Sequence, residues 1–423
     1  MVSPTEKSLC KPEVYESKRI QLTSPILHIG SESQLSPFEY VQTSNLVYLP
    51  NQEALAKALH QRGRLQDYIH RIENREEITT LLADTFGERW QTETLDGEPI
   101  FPKTGISRNW TNQKISDLRP MIRNGFGHRY IPGSSIKGAI RTAIAYHLLL
   151  HAPKRVSEIE LKLRETMGQL RQQAKFADDK LFMNQLFSDE SLYYQDKPIR
   201  CKPETPNTDF MRAVHISDAE PLIEARTVNK KGQPVSVNLP IVAEVIVTSH
   251  FKDGKAKYKA PIFTEMVRNV RTQFTISIDP EMLSWFHHRQ GLQIPFNTVE
   301  DIFKICQEFA QEQWDYEHDY WRDITNNLNA RDNNGQTINL DFDNIRELYA
   351  PEKCPYALRL GWGSGMTGTT VNLLFADDLR AEIRDSCSPN KAPGFEAPKS
   401  RRVVAVSGRK IKFVPGWVKF EVL

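Results

Sequence analysis

The stretch Tyr130–Leu150 constrains this chain more than any other. It reads Tyr-Ile-Pro-Gly-Ser-Ser-Ile-Lys-Gly-Ala-Ile-Arg-Thr-Ala-Ile-Ala-Tyr-His-Leu-Leu-Leu. Pro132-Gly133 ends a short strand at Arg129–Ile131. Ser134 or Ser135 can then cap a helix whose apolar positions Ile136, Ala139, Ile140, Ala143, Ile144 and Leu148 recur at helical spacing. The pattern predicts strand, turn and helix. Backbone N–H groups at the mouth of such a helix point outward, and the positive end of its dipole favours an anion. Lys137 and Arg141, four residues apart, place two cations on one helical face near that mouth. A phosphate backbone could pass there; a solvated basic face on a core helix accounts for the same letters.

The segment Gly133-Ser-Ser-Ile-Lys-Gly138 carries the outer glycines of a nucleotide-binding loop, but Ala139 and Ile140 stand where Lys followed by Ser or Thr is required. NTPase chemistry is excluded on that ground. With 423 residues the chain is long for one domain, and two domains with insertions are expected. It is 39% hydrophobic and 26% charged, with no apolar run of membrane-spanning length. The polar leader Met1–Lys18 lacks the apolar core of a secretory signal, so a cytoplasmic location is expected. Five cysteines (10, 201, 306, 354 and 387) fall without short pairings, which argues for free thiols and against a structural metal; no cofactor is expected. A net charge of +2 gives no support to nonspecific nucleic-acid binding by the whole surface, so any RNA site must be local. Basic clusters at Arg119–Arg129, Arg226–Lys231, Lys252–Lys259 and Lys399–Lys412 are candidates, each more often a solvated face than a site.

In chain order, Arg19–Gly30 and Ser44–Leu49 read as strands, and Asn51 caps a helix burying Ala54, Leu55, Ala58 and Leu59. Leu65–Phe86 and Ser157–Phe187 read as helical insertions, the second opening with Ser157-x-x-Glu160 in capping-box spacing; Gly87–Thr111 reads as a long loop. Met211–Leu222 is a strand ending at Asp218, taken as a structural turn residue. Ala225–Val228, Ile241–Thr248 and Phe274–Ile278 are further strands. The helix Thr298–Asn326 carries Trp314, Tyr316, Tyr320 and Trp321, whose acidic neighbours favour core packing over base stacking. Leu358–Thr370 holds glycines 361, 363, 365 and 368, which let another backbone approach, with Ser364 and three threonines as donors. The tail from Ser400 alternates like a closing hairpin, begun by Arg401 and Arg402.

Three stretches, Leu22–Gly30, Ile131–Ala143 and Leu358–Thr370, resemble the signatures of the RAMP superfamily. The likeness is strongest to the RAMP subunit that caps the crRNA 3′ end in type III-A (Csm) CRISPR complexes. The resemblance implies an α+β fold of two ferredoxin-like, RRM-related domains with helical insertions, 1–223 and 224–423. It also implies a noncatalytic crRNA-binding subunit in antiviral defence, needed for crRNA 3′-end maturation, with neighbouring RAMP backbone subunits and host trimming nucleases as partners. The RNA contacts expected are Gly133, Ser134, Ser135, Lys137, Arg141, His28, Arg359, Gly361, Gly363, Ser364, Gly365, Arg401 and Arg402. The rival is a RAMP-type endoribonuclease processing CRISPR RNA with His28 as its base. Against it, no partner for His28 is evident nearby in sequence. Target cleavage in related subunits uses a loop aspartate, and Gly30–Tyr40 offers only Glu32 and Glu39.

Overall fold

The computed structural model describes residues 15–30, 33–167, 182–220, 222, 226–228, 234–236, 240–387 and 392–423. The leader up to residue 14, Glu32, and the greater part of the second half of the expected helix Ser157–Phe187 lie outside the described residues. One twelve-stranded mixed sheet organises the rest. In chain order its strands are β1 (Glu16–Leu27), β2 (Val41–Gln42), β3 (Leu46–Tyr48), β4 (Ile106–Asn109), β5 (Leu118–Arg119), β6 (Val214–Ile216), β7 (Ile241–His250), β8 (Ala256–Ile278), β9 (Leu358–Arg359), β10 (Arg401–Val406), β11 (Lys410–Phe413) and β12 (Trp417–Val422). The spatial path is β9-β12-β1-β8-β7-β4-β3-β2; β5 and β6 also pair with β8, and β10 joins β7 to β11.

The strand β8, 23 residues long, ties the sheet together. Its second part pairs antiparallel with β1, Ile20 facing Phe274 and Leu22 facing Thr272; its first part pairs with β7, Val242 facing Glu265. Strands from before and after residue 223 therefore share one sheet. Alternation in β1 and β8 buries Ile20, Leu22, Phe274 and Ile276 under two helices, α4 (Gly133–Leu150) and α6 (Val299–Asp323), numbered after α1 (Gln52–Gln61), α2 (Leu65–Glu73), α3 (Thr79–Phe86) and α5 (Pro153–Met167).

Local signals place several of these elements. Asn51 Oδ1 accepts from the Ala54 N–H at 3.1 Å and starts α1. Thr298 and Asp301 cap α6 reciprocally, and Val299, Ile302, Cys306, Phe309 and Ala310 face the core. Trp314, Tyr320 and Trp321 continue that stripe into a second cluster with Tyr349 and Trp417. The insertion α1–α3 closes its own small core of Leu55, Leu59, Leu82 and Trp90.

Other expectations change. α5 starts at Pro153, so Ser157 is no cap; its hydroxyl donates to the Pro153 carbonyl at 3.3 Å. Ile106–Asn109, expected in a loop, is strand β4, because pairing with β3 and β7 supplies what a four-residue alternation cannot announce. The tail forms the hairpin β10–β11, but β12 leaves it to pair with β1. Among the described residues no helix is long and apolar enough to cross a membrane, and Cys201, Cys306 and Cys354 carry free thiols.

Candidate nucleic-acid interface

The opening motif folds as a packing joint. α4 begins at Gly133 with Pro132 at its N-cap, and neither serine caps it. Asp218, just beyond β6, supplies the missing acceptor: the Gly133 N–H donates to Asp218 Oδ1 at 2.7 Å. The anion at the mouth of α4 is thus the protein's own carboxylate. A side chain on Gly133 would collide with the Ile216 carbonyl oxygen, so the glycine lets α4 lie against β6.

The two cations on α4 serve the same joint. Lys137 Nζ donates to the Val214 carbonyl at 2.8 Å, and burial lowers its pKa against the pull of Asp209. Arg141 Nη1 pairs with Asp209 Oδ2 at 2.6 Å, and its guanidinium lies 3.8 Å from the centre of the Phe187 ring. Of Ser134, Ser135, Lys137 and Arg141, only Ser134 is exposed.

His28 is packed. It is 2% exposed, its Nδ1–H donates to the Glu265 carbonyl at 2.7 Å, and its ring meets Trp362 edge-on at 5.8 Å. Burial lowers its pKa, leaving a neutral imidazole with no surface for a phosphate. The glycine-rich stretch lies directly on it. Gly361 sits at φ +80°, and any Cβ there would run into the His28 carbonyl oxygen. Beyond it, Trp362–Ser364 makes a 3-10 turn and Gly365–Thr369 a short helix.

Two of the expected contact arginines are interior. Arg359 is buried over the Trp417 ring and donates weakly to the Gly363 and Pro415 carbonyls. Arg401 donates through Nε to Glu317 Oε1 at 2.8 Å and stacks on Tyr320 at 3.8 Å. Its pKa rises although burial opposes that, chiefly through Glu317.

Arg402 is different. Alternation along β10 puts it on the sheet face of Val247 and Val404, opposite Arg401. Its guanidinium lies 4.4 Å from the centre of Trp362, and that of Arg119 lies 5.1 Å from the same ring. On this face Arg268 stands 4.7 Å from Trp110 and 5.5 Å from Phe413. Beneath them lies a fully buried apolar layer of Ile26, Ile241, Ala243, Val245, Met266 and Val404, and the rings packed on it, Trp110, Trp362 and Phe413, stay half-buried.

No carboxylate compensates these cations among the described residues. Arg108, Arg119, Arg268 and Arg402 form no ion pair there, and the Nε atoms of Arg119 and Arg268 are buried without a hydrogen-bond partner. Burial lowers the pKa of Arg402, and Arg119 and Arg359 lower it further; burial and Arg108 do the same to Arg268. The opposite face is neutralised. Glu265 accepts from Arg123 at 2.8 Å and Arg129 at 2.5 Å, and Arg409 is held by Glu244 and Asp332. A cleft of about 420 Å³ runs from Arg402 past Gly363, Ser364, Gly365, Lys259 and Lys399 to the buried side chains of Arg359, Arg401 and Glu317. Unpaired guanidinium forks beside half-covered aromatic rings suit phosphates and unstacked bases.

The expected residues are therefore divided. Arg402 and Gly363–Gly365 reach this face and its cleft, Arg359 and Arg401 line the cleft from buried positions, and Lys137, Arg141 and His28 hold the scaffold. Sequence reasoning missed Trp110, Arg119, Arg268 and Trp362 as a group. Arg119 stood in a basic cluster and Trp362 in the glycine-rich stretch, but nothing local distinguishes Arg119 from Arg123 and Arg129, which pair with Glu265 about 140 residues away.

Comparison with known proteins agrees with this architecture. Over 151 residues the chain is 27% identical to the CRISPR system Cms protein Csm5 of Enterococcus italicus, an alignment spanning 31% of this chain and 43% of that relative. The chain superimposes on one chain of a solved Csm-crRNA-target RNA ternary complex of a type III-A CRISPR-Cas system with a TM-score of 0.60 and 21% identity. It superimposes on the crystal structure of T. onnurineus Csm5 with a TM-score of 0.57 and 20% identity; both matches cover 96% of this chain and 100% of the other. The RAMPs family profile matches residues 19–335, three-quarters of the sequence, and the chain belongs to the RAMP superfamily.

Proposed function

We propose that this chain is the noncatalytic crRNA-binding subunit capping the 3′ side of the crRNA in a type III-A CRISPR ribonucleoprotein. In that role it serves crRNA 3′-end maturation and antiviral defence in the cytoplasm. Neighbouring RAMP backbone subunits are its protein partners, and host nucleases trim the end it holds. The two ferredoxin-like units, 1–223 and 224–423, belong to this reading, with β8 of the second pairing with β1 of the first. The observation that carries it is the uncompensated face of Arg119, Arg268 and Arg402 around Trp110, Trp362 and Phe413. Arginine forks take phosphate oxygens, the rings take bases, and the Gly363–Gly365 edge lets the strand pass close. The burial of His28, whose Nδ1–H is taken by the Glu265 carbonyl, supports binding without cleavage.

The test is a titration of the full chain onto end-labelled crRNA at several salt concentrations. The variant Arg119→Ala/Arg268→Ala/Arg402→Ala should bind more weakly. Its salt dependence should fall by about 0.7 in log–log slope for every phosphate that no longer meets a guanidinium, roughly 2 in all. Lys137→Ala/Arg141→Ala should lower stability and leave the slope unchanged. An unchanged slope in the triple variant, or discrete cleavage products that copurify with the chain, refutes the reading.

A further inference from the structure

The far end of α4 holds a side-chain cluster that the RNA face does not use. His147 in its last turn and His151 just beyond are four residues apart, so both imidazoles lie on one side of the helix with ring centres 4.4 Å apart. Glu308 meets them from α6. The His147 Nδ1–H donates to Glu308 Oε2 at 2.5 Å, and Glu308 Oε1 lies 3.4 Å from His151 Nε2.

One ligand atom from each of the three residues lies within 4.8 Å of the others. A tetrahedral zinc ion with ligands at about 2.0–2.2 Å holds its donors roughly 3.3 Å apart. A small rotation of His151, whose side chain is 60% exposed, closes that difference. Two imidazoles and one carboxylate form a borderline-soft donor set that suits zinc or cobalt over calcium or magnesium and leaves the fourth position for water.

We propose that His147, His151 and Glu308 bind one divalent transition-metal ion of the zinc class, pinning the end of α4 to α6. Tyr146 already packs on Phe309 between the same two helices at 4.8 Å, so the site has a rigid base on both sides. The ion would brace the helical layer behind the sheet from the end of α4 opposite the glycine joint.

The test uses the untagged full chain, stripped with chelator and titrated with zinc or cobalt chloride. One equivalent should bind, cobalt should give the visible absorption of a tetrahedral site, and the melting temperature should rise with metal. His151→Ala and Glu308→Gln should each weaken binding by more than roughly tenfold. His151 is exposed and Gln retains the shape of Glu, so both variants should keep the metal-free melting temperature within a few degrees. Failure of the wild-type chain to hold metal overturns the proposal. So does unchanged affinity in His151→Ala/Glu308→Gln, which would place the ion elsewhere.

Discussion

Replacing Glu265 by Gln should be the most damaging single-atom change in the sheet. Glu265 is 1% exposed and accepts from Ser107 Oγ, the Met121 N–H, Arg123 Nη2 and both Nε and Nη2 of Arg129. Burial alone would raise its pKa, but the guanidiniums of Arg129 and Arg123 outweigh that and pull it from 4.5 to about 2. At about 1.4 kcal/mol per unit, the ionised carboxylate contributes roughly 3 kcal/mol at neutral pH. Removing one partner of a buried ion pair costs about 3–5 kcal/mol by an independent route, since the two arginines lose their counter-charge. The sign follows from a depressed carboxylate pKa: the contribution is whole above the unfolded value near 4.5 and disappears as pH falls towards 2. Urea unfolding of wild type and Glu265→Gln at pH 7, 4 and 3 measures this directly. The gap between them should be about 3 kcal/mol or more at pH 7 and should narrow steadily below pH 4.5. A gap independent of pH, or one below about 1 kcal/mol at pH 7, refutes the network as the source of stability.

Gly361→Ala combines a positive φ with a collision against the His28 carbonyl oxygen, so it should destabilise by more than about 2 kcal/mol in chemical denaturation, whereas the open Gly138→Ala should be neutral or stabilising. Asp218→Ala removes the acceptor at the start of α4 and should cost about 1 kcal/mol, readable as a fall in melting temperature; Asp218→Asn should recover part of it.

The glycines show how much could be read in the letters and how much could not. Runs such as Ile131–Ala143 and Leu358–Thr370 identify the superfamily because their special residues answer local backbone demands. The same letters suggested open cradles for RNA, and the fold uses Gly133 and Gly361 to seat α4 on β6 and the glycine-rich turn on His28. Likewise His147 and His151 announce a shared helix face, but Glu308, 161 residues from His147, completes the cluster only after α4 and α6 pack.

By itself the sequence determined what depends on near neighbours: the helical stripes of α4 and α6, the Asn51 and Thr298 caps, the alternation of β1, and the placing of Trp314 and Trp321 in the core. Tertiary structure alone decided which cations find a counter-charge. Arg123, Arg129, Arg141 and Arg401 each meet a carboxylate more than sixty residues away, while Arg119, Arg268 and Arg402 lie against aromatic rings with no carboxylate among the described residues. Periodicity and capping act over a few residues and are written in the local order of side chains. Charge compensation acts through space, and the sheet register that brings partners together is set by the whole chain.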